Sequence, residues 1–292
     1  MSRVLAIDLG GTRLRAALAD AVGPVDIEEL GSWPAPEGLD AFAAKLGALR
    51  AEAGPVAGLG IAVPGLVEGS RCRWIPNLPW LDGVDLAELV PDLTVAVGND
   101  AQFALVAEAA HGAAAMLRNA VLLAVGTGIG SAVLAEGRIV RGAHGGACSY
   151  GWATADPDDA GEDRSGWLER AAAGRALDAL AGELGLADGA ALMQAARNGN
   201  AAALEALDGP AAALGAAIAS AVALLDPEAV LLAGGVAEAA DVLVPKIRAA
   251  ASRHLPRHLR DPEIRVGTFG SRAGIVGAAV AGAAGREWWR IR

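Results

Sequence analysis

The sequence predicts an α/β fold built from two similar domains, and three observations carry that prediction. The chain has 292 residues, too many for one ordinary α/β domain and enough for two at ~100–200 residues each. Apolar runs at 4–7 and 14–18 flank Asp8-Leu9-Gly10-Gly11-Thr12 and read as strand, glycine turn, strand. The pattern returns about 120 residues later, where runs at 121–125 and 131–134 flank Gly126-Thr127-Gly128-Ile129-Gly130. Two such hairpins imply two related domains.

The remaining elements follow in order. Between the hairpins a helical stretch covers 39–53, a strand covers 58–63 and ends in Pro64-Gly65, a strand covers 94–97, and a helix runs from 101 to about 110. Residues 142–166 are rich in Gly, Asp and Ser without periodicity and read as loop. From 167 to 225 the composition is helical, with breaks at 185–189 and at Asp208-Gly209-Pro210. Asp226-Pro227 stops that region, 229–233 reads as a buried strand ending in Gly234-Gly235, and a last helix starts near Arg272 and passes Val280.

Composition excludes several function classes. The formal charge of −10 comes without a dense Lys/Arg block, so nucleic-acid binding is not expected. Cys72 and Cys148 form no CxxC, which fits a reducing compartment. Asp8 and the Gly-Gly turn stand where a signal peptide needs its apolar stretch, and no uncharged run of ~18 large apolar residues follows. A soluble cytoplasmic protein with no membrane partner is the expectation. His254 and His258 are spaced i, i+4 but have Pro256 between them, so a surface pair at a helix end is expected rather than a metal site. The terminal Glu287-Trp288-Trp289-Arg290 reads as a packing segment.

Phosphates bind where consecutive backbone N–H groups point outward, and glycine turns let the chain come that close to an anion. Asp8 to Thr12 offers this geometry, with Arg13 and Arg15 as cations nearby, and Gly126 to Gly130 offers it again. Neither turn leads into the Gly-Lys-Ser/Thr of a Walker loop or directly into a helix. Asn99-Asp100 closes an apolar strand before a helix, so Asp100 reads either as an N-cap or as a chemical carboxylate.

Together these residues resemble the ROK family of sugar kinases, within the hexokinase and actin-like ATPase superfamily. Ile7 to Thr12 is similar to its first phosphate motif, Gly60 to Gly65 to its strand and Pro-Gly turn, and Asn77-Leu78-Pro79-Trp80 to its sugar-contacting segment. Asn99-Asp100-Ala101 resembles the sugar-binding Asn and catalytic Asp, Gly126 to Gly130 the second phosphate motif, and the stretch from Leu225 to Val236 the adenosine-side motif. Two departures stand out. Where the family has Gly-Glu-x-Gly-His this chain has Cys148-Ser149-Tyr150-Gly151-Trp152, and the family's zinc-binding Cys-x-Cys-Gly-x-x-Gly-Cys run corresponds to cysteine-free residues 156–167. The Leu-Glu closing that run is kept as Leu168-Glu169.

The resemblance implies a two-domain actin-like ATPase (ribonuclease H-like) fold with an interdomain cleft. The expected domains are 1–117 and a larger 118–292 whose final helix packs back toward the first. It implies ATP and Mg²⁺ and no zinc. Asp100 is the expected general base, and Asp8 holds Mg²⁺ through water. Gly10, Gly11, Thr12, Arg13, Gly126, Thr127, Gly128 and Gly130 hold phosphates, and Gly234 and Gly235 the adenosine side. Gly65, Asn77, Asn99, Asp100, Ser149, Trp152 and Glu169 contact the acceptor, a small glucose-related sugar or a cyclitol. A homodimer is the expected assembly. Two alternatives remain open: a sugar- or nucleotide-binding sensor without catalysis, and an ordinary glucokinase with a repacked loop.

Overall fold

The computed structural model describes residues 2–291. In chain order it begins with β1 (Arg3–Leu9), β2 (Arg13–Asp20), β3 (Ile27–Pro34), α1 (Leu39–Ala53), β4 (Gly58–Val63), β5 (Leu66–Glu68), β6 (Arg71–Trp74), β7 (Val95–Asn99) and α2 (Asp100–His111). It continues with β8 (Ala120–Val125), β9 (Ile129–Ala135), β10 (Arg138–Ile139), α3 (Trp167–Ala172), α4 (Gly174–Glu183), α5 (Gly189–Arg197), α6 (Ala201–Ala206) and α7 (Asp208–Leu225). The chain closes with β11 (Ala229–Ala233), α8 (Ala240–Arg253), β12 (Ile264–Val266) and α9 (Ala273–Ala284). Two compact units result. Unit 1 comprises Met1–Met116, Gly137–Ala147 and Ser271–Arg292, and unit 2 comprises Leu117–Glu136 and Cys148–Gly270. Residues 137–147 and the terminal segment both group with unit 1. Ile139 donates its N–H to the Trp289 carbonyl at 2.8 Å, and α9 packs on β1, β4 and α2.

The unit 1 sheet has the order β3-β2-β1-β4-β7. Strands β3, β2 and β1 are antiparallel neighbours, while β1, β4 and β7 run parallel. Unit 2 repeats the scheme, with β9 antiparallel to β8 and then β11 and β12 parallel. The hairpins read from the glycine turns are therefore the start of each sheet. Side chains alternate along β1: Leu5, Ile7 and Leu9 enter a core with Phe42, Leu46 and Leu49 of α1, while Val4 and Asp8 face α9 at Gly282 and Gly274. Coverage on both faces explains why β1 and β4 are near-continuous apolar runs.

The α9 sequence AGIVGAAVAGAA lets this helix lie backbone to backbone on its neighbours. A Cβ at Gly60 of β4 would stand 1.8 Å from the Ala278 carbonyl oxygen, and one at Gly277 would stand 1.8 Å from that of Phe103 in α2. In unit 2, Gly215 does the same for α7, where a Cβ would meet that of Ala250 in α8 at 2.4 Å.

Several elements depart from the sequence reading. The chain breaks at Leu207, and α7 begins at Asp208 with Pro210 in its first turn, where a missing N–H is harmless. Strand β3 is an edge strand of sequence IEELGSWP, too polar and too interrupted to show alternation, and α8 holds an internal Pro245 that masked its buried Leu243, Ile247, Ala250 and Ala251. The stretch Ala201–Leu225 is long and apolar enough to span a bilayer by length and composition, but it is 61% buried among neighbouring elements. His254 caps α8 and His258 lies in the turn beyond Pro256, so the two share no helix face. Trp288 packs edge-on against Phe103, with ring centroids 4.9 Å apart.

Substitutions at glycines should separate contact from entropy. Gly60→Ala and Gly277→Ala each force a methyl into a backbone carbonyl and should destabilise unit 1 by about 1–3 kcal/mol or more. Gly47→Ala, inside α1 with nothing within 4 Å of the added carbon, should stabilise by about 0.5–1 kcal/mol. Urea unfolding of the three variants checks the contrast.

Candidate active site

In unit 1, the predicted residues gather at the carboxyl ends of three parallel strands, where open α/β sheets bind ligands. Asp8 stands near the end of β1 and is 9% exposed. Its cross-strand partner Arg15 on β2 pairs with its carboxylate, and the same guanidinium donates to the Ser271 carbonyl at 2.8 Å, just before α9. Arg13 instead reaches the Ser32 hydroxyl of β3 at 3.2 Å. Gly11 lies on Asn77, whose Cβ would be 2.7 Å from an added one, and at Gly65 an added Cβ would stand 2.3 Å from the Trp74 carbonyl oxygen. Both glycines are places where only a bare backbone fits.

Asn99 ends β7 and caps α2. Its Oδ1 accepts from the Ala101 N–H at 2.9 Å, and Gln102 Oε1 accepts from the Asn99 N–H at 3.2 Å; with the Gln102 backbone N–H on the Asn99 side chain, the latter bond completes a capping box. Its Nδ2 donates to the Gly65 carbonyl at 3.0 Å. The N-cap is thus Asn99, and Asp100 is the first helical residue, with Oδ1 accepting from Ala101 N–H at 2.7 Å. Burial first, and the Asp8 carboxylate second, push the Asp100 carboxyl up to about 6, against the pull of the backbone N–H groups.

In unit 2, the turn between β8 and β9 is closed by a hydrogen bond from Gly126 N–H to the Gly128 carbonyl at 2.9 Å. The N–H of Gly174, at the start of α4, donates to the Gly126 carbonyl at 2.7 Å. Thr127 is exposed at the tip. Glu169 of α3 lies against this turn: an added Cβ at Gly128 would be 2.8 Å from its Oε1, and Ile129 N–H reaches Oε2 at 3.5 Å. Gly151 also borders it, with an added Cβ 3.4 Å from Oε2. Gly234 has φ +77° and lies on the Val125 backbone, so the Gly234-Gly235 turn stands beside the glycine turn at the ends of neighbouring parallel strands. Gly126, Gly130, Gly234, Gly235 and Glu169 are therefore brought together within this unit.

The segment holding Ser149 and Trp152 is a short 3₁₀ turn over Tyr150–Trp152. The Ser131 hydroxyl anchors it, donating to the Cys148 carbonyl at 2.6 Å and accepting from Tyr150 N–H at 2.8 Å. Trp152 is 44% exposed and Ser149 is exposed. The following loop is tied to α3 by Arg170, whose Nη2 donates to both Asp159 oxygens at 2.6 and 2.7 Å. Sequence reasoning missed this clamp, and Arg15 as the partner of Asp8. The signal for Arg15 was its place on a strand paired with β1; for Asp159 and Arg170 there was none beyond opposite charge.

Among the described residues no group of three or more His, Cys, Asp and Glu is placed to hold a metal ion.

The raised Asp100 pKa has a consequence for stability. The folded state binds this proton more tightly than the unfolded chain does, so stability present below about pH 4 is lost as pH rises through about 6. Asn cannot ionise and escapes that loss. Relative to wild type, Asp100→Asn should gain about 1–3 kcal/mol between pH 4 and pH 8, measured by urea unfolding at the two pH values. A difference independent of pH would show that the carboxyl is unperturbed.

With this geometry in hand, known proteins show where the chain belongs. Residues 4–283 match the ROK family. The glucokinase of Halalkalibacterium halodurans is 28% identical over 93% of this chain and 92% of its own. The N-acetylmannosamine kinase of Escherichia fergusonii is 34% identical over 94% of this chain and 97% of its own. A solved ROK family glucokinase from Streptomyces griseus, in complex with glucose and AMPPNP, superposes with a TM-score of 0.80, covering 97% of this chain and 100% of that one at 26% identity. The chain belongs to the ROK family and has its mixed α/β, actin-like ATPase fold.

Proposed function

We propose that this protein transfers the γ-phosphoryl group of ATP to a hydroxyl of a sugar, with Asp100 as the general base. The observation that carries this reading is the Asp100 carboxyl at the first residue of α2, pushed up to about 6 by burial and by the Asp8 carboxylate. A general base works best with a pKa near the working pH, and an ordinary carboxylate would hold a proton too weakly. Family membership and the kinase relatives support the reaction class.

The residues fit the donor. Gly126 and Gly235 have nothing within 4 Å of an added side chain, so phosphate and adenosine can approach bare backbone. The turn at Gly10, Gly11 and Thr12 supplies a second anion cradle. ATP supplies the phosphoryl group and Mg²⁺ offsets the phosphate charge; Asp8 and Asp100 are the carboxylates able to hold that ion, through water, since Mg²⁺ commonly rests on one or two carboxylates plus phosphates. Asn77, Asn99 and Glu169 orient the acceptor hydroxyls, and Asp100 takes the proton as the hydroxyl oxygen attacks phosphorus.

The acceptor differs from plain glucose near C1 or C2. Ser149 and Trp152 replace a carboxylate and an imidazole, leaving one short hydroxyl and a half-exposed indole whose apolar face can stack on a ring. Losing two hydrogen-bonding groups weakens selection for the hydroxyls they paired.

ADP release measured with glucose, N-acetylmannosamine and a cyclitol should give the highest kcat/KM with an acceptor other than glucose. Efficient turnover of glucose at ~10⁴ M⁻¹s⁻¹ or above, unmatched by the others, would contradict the acceptor assignment. Asp100→Asn should lose at least ~10²-fold in kcat with nucleotide affinity nearly unchanged. In the wild type kcat/KM should fall below about pH 6 with a slope of one proton. No ADP release with any acceptor would favour the sensor reading.

A further inference from the structure

Cys148 opens the segment that carries Ser149 and Trp152, and it does so in the left-handed region, at φ +65°. That backbone is costly for a residue with a Cβ and belongs mainly to Gly, Asn and Asp. The next residue, Ser149, has φ −75° and ψ +70°, and the Tyr150 N–H donates to the Cys148 carbonyl at 2.9 Å. These are the angles and the hydrogen bond of an inverse γ-turn. The 3₁₀ turn over Tyr150–Trp152 follows without a break.

A neighbouring strand closes this turn. The Ser131 hydroxyl of β9 donates to the Cys148 carbonyl at 2.6 Å and accepts from the Tyr150 N–H at 2.8 Å, so it bonds both ends of the γ-turn at once. Farther along, the segment is held by close backbone approach. An added Cβ at Gly151 would stand 2.8 Å from the Ile129 carbonyl oxygen, and one at Gly166 would stand 2.1 Å from the Gly151 carbonyl oxygen and 2.3 Å from the Trp152 Cα. The Ala153 carbonyl accepts from the Leu168 N–H at 3.2 Å. Packing sets the Trp152 end of the segment, and a hydroxyl sets the Ser149 end.

A residue in strained backbone persists where its surroundings over-determine it, and such residues cluster at functional sites. We propose that Ser131 is a positioning residue for the acceptor: its hydroxyl holds Cys148 left-handed and the γ-turn closed, and so fixes Ser149 and, one turn on, Trp152. The inference rests on the reading of Ser149 and Trp152 as acceptor contacts. Without the hydroxyl, Cys148 relaxes toward the β region and carries Ser149 with it. Glycine at 148 would adopt the left-handed backbone without strain, which removes the need for the clamp.

Cys148 is also the reporter. It is half-buried, whereas Cys72 is fully buried and its thiol is pushed up to about 12 by burial first and by Asp82 and Asp85 after it. Iodoacetamide labelling located by mass spectrometry therefore reads this loop with neither ATP nor acceptor present. Ser131→Ala should raise the Cys148 alkylation rate about tenfold, the worth of two hydrogen bonds, and Ser131→Thr, which keeps a hydroxyl, should stay near wild type. For whichever of glucose, N-acetylmannosamine and a cyclitol the wild type uses best, Ser131→Ala should raise the acceptor KM about tenfold with the KM for ATP unchanged. Adding Cys148→Gly to it should recover most of that loss. An alkylation rate unchanged in Ser131→Ala or equally raised in Ser131→Thr, an unchanged acceptor KM, an equal rise in the KM for ATP, or no recovery with glycine would overturn the proposal. If the wild type turns over none of the three acceptors, the kinase reading fails while alkylation still decides the clamp, so the two failures are told apart.

Discussion

The close approach of α9 to β4 and α2 is the constraint on which the unit 1 site depends. Gly60, Gly277 and Gly282 remove the side chains that would hold these elements apart, which lowers α9 until its first turn reaches Asp8 at Gly274. The same helix buttresses α2, whose first residue is Asp100. Packing and chemistry are thus linked through one small-residue helix: a methyl group added at the wrong glycine would move both carboxylates without touching either.

Charge is distributed unevenly over that frame. Asp8 has a cation, Arg15, held in turn by the Ser271 carbonyl. Asp100 accepts from the Ala101 N–H, and burial, with the Asp8 charge second, raises its pKa. Sites whose charges are left under-compensated commonly trade stability for activity. In unit 2, Glu169 stands on the glycine turn and beside Gly151, which joins the loop around Gly151 to that turn within one packed cluster.

Much of this was legible in the sequence. Glycine turns between apolar runs fixed both hairpins, because few residues other than glycine make such turns, and the buried parallel strands announced themselves as unbroken apolar runs. What stayed hidden was long-range or irregular. Strand β3 sits at a sheet edge and needs no alternation, and α8 carries a proline. Around the site, Asn99 and Asp100 were both visible, but which of them caps α2 depended on side-chain geometry. The contact of Glu169 with Gly128, forty-one positions apart, could not be read from spacing; its role came from resemblance, and its surroundings from the fold.

The most direct measurement is the carboxyl titration of Asp100 itself, by NMR on protein labelled with ¹³C at aspartate and assigned by loss of the signal in Asp100→Asn. Its midpoint should lie near 6 and should fall in Asp8→Asn while staying above the ordinary carboxylate range, because burial is the larger cause and the Asp8 charge the smaller. A wild-type midpoint at the ordinary value of about 4 would contradict the placement of these two groups and, with it, the assignment of Asp100 as the base.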